Sequence, residues 1–69
     1  MSVTMFSEML TNTYIELEAT VRNGRTVYKV ARFSRIYDDN RVGYPDKELW
    51  YGEFSKARAT YNRWLRKYA

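Results

Sequence analysis

The dipeptide Asn23-Gly24 constrains this chain more than any other feature. Asn and Gly together best tolerate the positive φ angles of a type I′ turn, whose twist matches that of the strands it joins. A turn centred there fixes the pairing of every flanking residue. Val21 faces Thr26, Ala19 faces Tyr28, Leu17 faces Val30 and Ile15 faces Arg32, a face that is apolar apart from Arg32 at its far end. The other face pairs Thr20 with Val27, Glu18 with Lys29, Glu16 with Ala31 and Tyr14 with Phe33. A slip of one residue would turn Glu16 and Glu18 toward the core, so the hydrophobic pattern and the turn specify the same register.

The second strand is expected to run to about Tyr37 and to end at Asp38-Asp39-Asn40, short polar side chains that favour turns. The loop continues through Gly43 and Pro45. From Lys47 to Phe54 the pattern fits a third strand, with Leu49 and Tyr51 on one side and Trp50 and Phe54 on the other. Pro45-Asp46-Lys47-Glu48 would also suit the first turn of a short helix, with Pro at its first position; the strand is preferred. The spacing then predicts a helix over 55–68. Ser55 is placed to cap it, and Phe54, Ala57, Tyr61, Trp64, Leu65 and Tyr68 form one apolar stripe. Lys56, Arg58, Thr60, Asn62, Arg63, Arg66 and Lys67 fall on its polar side. In the segment 1–12, Met5, Phe6, Met9 and Leu10 suit either a short helix or a tail. The expected architecture is α+β: a three-stranded antiparallel sheet over 13–54 with a C-terminal amphipathic helix packed on one face, all within one domain of 69 residues.

Composition narrows the chemistry. The chain has no Cys and no His, which removes disulfides, thiol nucleophiles, cysteine zinc sites and the usual general base. Ser2, Ser7, Ser34 and Ser55 therefore lack the partner a hydroxyl nucleophile needs. Asp38, Asp39, Asp46 and Glu48 cluster in sequence and carry oxygen ligands suited to Mg²⁺, but they read more simply as residues that shape a turn and open the next element. The three glycines stand apart at 24, 43 and 52, so there is no glycine-rich phosphate loop. No catalytic residue, cofactor or metal ligand is assigned, and the chain is read as non-enzymatic. No apolar run reaches the ~20 residues of a membrane span, and Met1–Thr20 lacks the basic start of a signal peptide, so a cytoplasmic protein without a membrane partner is expected.

Charge points to binding. The net charge is +4 and the pI about 9.6, distributed as alternating blocks. Residues 1–21 are acidic (Glu8, Glu16, Glu18), and 22–37 are basic (Arg22, Arg25, Lys29, Arg32, Arg35). Residues 38–53 are again net acidic, and 54–69 carry Lys56, Arg58, Arg63, Arg66 and Lys67 with no acid. Spacings of four place Arg58, Asn62 and Arg66 in one helical row and Arg63 and Lys67 in another. That row is a candidate anion-seeking face, although cations near a helix C-terminus also serve the macrodipole. The second candidate is the outward hairpin face, where Tyr14, Phe33 and Tyr37 interleave with Arg22, Arg25, Lys29 and Arg35, with Glu16, Glu18, Val27 and Ala31 among them. Aromatics interleaved with bases suit nucleic-acid stacking and protein hot spots alike. A different expectation for that face is that Met5, Phe6, Met9 and Leu10 fold back and bury Tyr14 and Phe33.

The strand–strand–strand–helix order with a basic last helix resembles a double-stranded-RNA-binding domain. Ser55-Lys56-Ala57-Arg58 stands where that domain carries Lys-Lys-x-Ala-Lys, and no site is carried over. In size and layout the chain is also similar to phage-encoded inhibitors of host machinery. The expected activity is stoichiometric occlusion of an acidic surface on a larger host protein or nucleoprotein complex. Direct binding of DNA or RNA is the alternative, and the open hairpin face would also allow a homodimer.

Overall fold

A computed structural model of the protein describes residues 2–34 and 45–69. Its elements are β1 (Ser2–Met9), β2 (Tyr14–Arg22), β3 (Arg25–Phe33), β4 (Lys47–Tyr51) and α1 (Phe54–Lys67). The four strands form one antiparallel sheet in the order β1-β2-β3-β4.

The hairpin forms around Asn23 and Gly24, whose φ angles of 52° and 76° are both in the left-handed region. From Tyr14↔Phe33 to Val21↔Thr26, the β2–β3 register matches the pairing that the turn dictates, and Glu18 and Lys29 approach to 3.4 Å. β3 ends at Phe33 rather than near Tyr37. Arg35, Tyr37 and the acidic pair Asp38-Asp39 lie outside the described residues, as does Gly43.

Residues 47–51 are a strand and not a short helix, but they form the fourth strand, because the N-terminal segment supplies the first. Segment 2–9 is neither helix nor tail: it pairs with β2 along its length. The reason it reads ambiguously is a bulge between Thr4 and Phe6, with Val3 opposite Ala19 and Phe6 opposite Leu17. Both partners lie on the same face of β2, so two positions of β1 on that face, exposed Val3 and half-buried Phe6, stand three residues apart. That spacing is helical rather than alternating.

α1 packs on the face that carries Ile15, Leu17 and Val30, all fully buried. Ala57, Tyr61 and Trp64 complete the core from the helix side, with Phe6, Leu10, Tyr28, Tyr51, Leu65 and Tyr68 packed around it. Phe6 has ring contacts with Phe54 (6.3 Å) and Tyr61 (6.0 Å), so β1 is tied to both ends of the helix's first two turns. Phe54 is the first helical residue, not the end of a strand. Its ring meets Tyr28 at 5.6 Å on the helix side of the sheet, whereas Trp50 lies on the opposite side, cross-strand from Lys29.

The expected cap of α1 and two residues of its expected polar side behave otherwise. Ser55 is not the cap: Glu53 occupies that position in extended conformation and makes no side-chain cap hydrogen bond. Thr60 is buried, its hydroxyl 2.7 Å from the Tyr51 hydroxyl, a pairing that satisfies both groups where water is excluded. The Arg58 guanidinium lies 3.9 Å from the centre of the Phe6 ring, drawn down over the exposed edge of the core. Arg32, the one cation in the apolar hairpin face, is accommodated in a similar way. Its guanidinium stacks 4.2 Å from the Tyr68 ring and stands 3.7 Å from the Asp46 carboxylate. Asp46 also accepts a hydrogen bond from the Ser34 backbone N–H at 2.8 Å, which joins the two ends of the β3–β4 connection.

Candidate binding site

Because α1 covers only one face of the sheet, the molecule presents two different surfaces. The first is the outer side of α1. Arg63, Arg66 and Lys67 are exposed and make no ion pair with any described residue. Lys56 is also exposed but stands 3.6 Å from Glu53. Arg58, stacked on Phe6, is half-buried and is removed from the free row. The helix therefore offers three exposed cations within its last five residues, Arg63 also donating to the Thr60 hydroxyl at 3.4 Å, held by a stripe whose buried members are Ala57, Thr60, Tyr61 and Trp64.

The second surface is the open face of the sheet, and it divides along the strands. At the end nearest the β1–β2 turn, Ala31 is fully buried, Phe33 is 8% exposed and the Tyr14 ring lies 5.7 Å from that of Phe33. Phe33 is therefore a packing residue rather than a contact surface. The β1 segment does not fold across this face; it extends the sheet by one strand, and Phe6 and Leu10 pack on the helix side. Glu16 belongs to the same region and accepts a hydrogen bond from the Tyr14 hydroxyl at 3.4 Å. Burial pushes its carboxyl above the usual range and the nearby Glu18 adds to this, while Lys29 and the Tyr14 hydroxyl oppose it.

The hairpin-tip end has the opposite character. Trp50 is 39% exposed, and the Arg22 guanidinium lies 4.2 Å from its ring centre, with the Lys29 ammonium at 5.6 Å. Arg25 is paired directly across from Arg22. Arg22, Val27, Trp50, Tyr51 and Gly52 line a shallow concavity of about 210 Å³. Trp50 does not stand out in the sequence as a site residue, and Arg22 does so only as one of the cations on the outward hairpin face. The available signal was register: once β4 is placed beside β3, Trp50 falls opposite Lys29 and on the face of Arg22.

Of the expected binding residues, Arg63, Arg66, Lys67 and Lys56 share the helix surface, Arg25 and Lys29 share the hairpin-tip end, and Tyr14 lies at the far end of the sheet. Among the described residues no group of three or more acidic side chains could hold a metal ion, and no helix is long and apolar enough to cross a membrane. No family model matches the chain, and no curated protein or solved structure matches it significantly.

Proposed function

We propose that this chain is a non-catalytic binding protein that occludes an acidic surface on a larger host protein or nucleoprotein complex, in one-to-one fashion, with the outer side of α1 as its grip. The observation that supports this most is the set of three exposed cations, Arg63, Arg66 and Lys67, none of them in an ion pair with a described residue, on a helix whose opposite side is fixed in the core. A rigid helix presents its charges with little ordering cost on binding, which favours specificity and fast association with an anionic partner. The balance of eight Arg to four Lys adds planar, bidentate recognition of carboxylate groups.

A second reading, direct binding of nucleic acid, is favoured by the exposed Trp50 with Arg22 beside it, a combination suited to base stacking and phosphate contact. The two differ in salt response. Labelled polyglutamate, DNA and RNA would each be titrated at about 50 and 200 mM salt, where a ligand held by six to ten phosphate contacts loses at least a thousandfold in affinity. DNA or RNA binding that exceeds that of a basic control protein and falls in this way supports the second reading. Polyglutamate binding without comparable nucleic-acid binding supports the first. For the first reading, Arg63→Glu/Lys67→Glu is expected to leave the melting curve nearly unchanged and to weaken polyglutamate binding at least tenfold. Unaltered binding would remove α1 as the grip.

A further inference from the structure

The hairpin-tip concavity has features that the packing of the sheet does not require. Arg22 and Arg25 are directly opposed across the end of the β2–β3 ladder, and neither has an ion-pair partner among the described residues. Like charges opposed in this way weaken a hairpin. An anion between them would remove the penalty. Beside them, the Arg22 guanidinium and the Trp50 indole lie one against the other at 4.2 Å, and the adjoining walls are Val27, Tyr51 and Gly52. A flat apolar group is thus offered a stacked surface beside two guanidinium groups, that of Arg22 lying on Trp50, with no ion pair to a described residue. The volume of about 210 Å³ has room for one planar heterocycle rather than an extended peptide.

We propose that this concavity takes one nucleotide of a single-stranded nucleic acid. The base stacks on the Arg22–Trp50 pair against Val27, and the adjacent phosphates lie between Arg22 and Arg25. Single strands are recognised by this combination, because every base has a stackable face and guanidinium planes stack as well as aromatic rings do. The chemistry favours a strand over an acidic peptide, since carboxylates would satisfy Arg22 and Arg25 but leave the Trp50–Val27 wall without a partner. The inference rests on the nucleic-acid reading above, and the two fail differently: oligonucleotide binding that ignores the concavity overturns the site alone, whereas no oligonucleotide binding overturns both.

Gly52 supplies a clean test. A Cβ built there meets nothing within 4 Å and its φ is not in the left-handed region, so Gly52→Leu adds bulk to the lining of the concavity without a clash or backbone strain. The full chain would be titrated with a fluorescein-labelled ten-nucleotide oligo-dT at about 50 mM salt, with anisotropy and Trp fluorescence followed together and polyglutamate as competitor. The expected result is saturable binding with quenching of Trp fluorescence. Gly52→Leu and Trp50→Ala should each weaken it at least tenfold while retaining the wild-type melting temperature within a few degrees. Arg22→Gln/Arg25→Gln should reduce the salt slope by about 1.4, the value for two single-strand phosphate contacts. Arg63→Glu/Lys67→Glu should retain the quenching, which separates this site from the helix. Oligonucleotide binding that Gly52→Leu leaves unchanged would overturn the site. No oligonucleotide binding, or displacement by polyglutamate at equal charge concentration, would overturn the ligand.

Discussion

At the residue scale, the side chains that decide stability are aromatic and those that decide solubility are basic, and several of the basic ones also pack. Trp64 and Tyr61 are 2% and 4% exposed and bridge the helix to the sheet. Trp64→Ala or Tyr61→Ala is expected to cost about 3–5 kcal/mol, the range for emptying a large buried site. In a domain of this size that is a large part of the total, so urea unfolding should show either a strongly shifted midpoint or no folded baseline. Glu16 makes a prediction with the opposite sign. Its carboxyl is pushed above its ordinary value of 4.5, chiefly by burial, so the folded chain binds that proton more tightly than the unfolded chain does. The charge therefore costs nothing below the ordinary value, and stability falls as pH rises from there through the raised value. Glu16→Gln should be more stable than the parent at neutral pH, with the gain vanishing well below pH 4.5 in parallel thermal melts. A constant difference across that range would mean that burial of the charge is not felt. Burial likewise raises the Tyr61 phenol above its ordinary value of 10.0, so this group favours the folded chain less as pH rises beyond that point.

At the scale of elements, the hairpin and the helix start are held by different means. Gly24 has a φ of +76° and open space around it, so Gly24→Ala introduces backbone strain without a clash. The expected loss is about 1–2 kcal/mol, read as a lower urea midpoint with an unchanged slope. Ser55, by contrast, makes no cap hydrogen bond; it lies inside the first turn behind Glu53. Ser55→Ala should therefore change stability by less than about 0.5 kcal/mol, where a capping serine would cost about 1. A loss of the larger size in the same urea titration would restore Ser55 as the cap. The Lys56–Glu53 pair, at 3.6 Å and well exposed, contributes little more than local charge balance. The bulge in β1 has a consequence beyond its own strand. It sets Phe6 opposite Leu17, which brings the Phe6 ring under the first turns of α1 and gives Arg58 a surface to lie on.

At the scale of the whole molecule, one helix covers one face of a four-stranded sheet, and the other face is buried at Ala31 and Phe33 but exposed at Trp50. Cations are segregated accordingly: Arg63, Arg66 and Lys67 on the helix side, and Arg22 and Arg25 at one end of the open side. A partner engaged through α1 would leave the hairpin-tip concavity accessible. The paired variants Arg63→Glu/Lys67→Glu and Gly52→Leu thus report on separate surfaces, and their effects on binding should combine additively if both are used by one ligand. The net charge of +4 hides this arrangement, because the same face carries Glu18 against Lys29 and Glu16 beyond it.

Much of this was legible in the chain itself, for a physical reason. Asn23-Gly24 is a local device: two residues determine a turn, the turn determines a register, and the register determines which side of β2 and β3 is apolar. The helical stripe from Phe54 to Tyr68 is equally local, since a period of 3.6 is written in consecutive residues. The tertiary structure alone decided what depends on contacts between distant segments. β1 is a strand because β2 offers an edge, and its bulge erases the alternation by which a strand is recognised. Arg58 and Arg32 look like free cations until Phe6 and Tyr68 are placed against them, and Phe33 looks like a contact residue until the fold buries it. Trp50 acquires meaning only when β4 docks beside β3, because no local pattern places an indole next to an arginine 28 residues earlier in the chain.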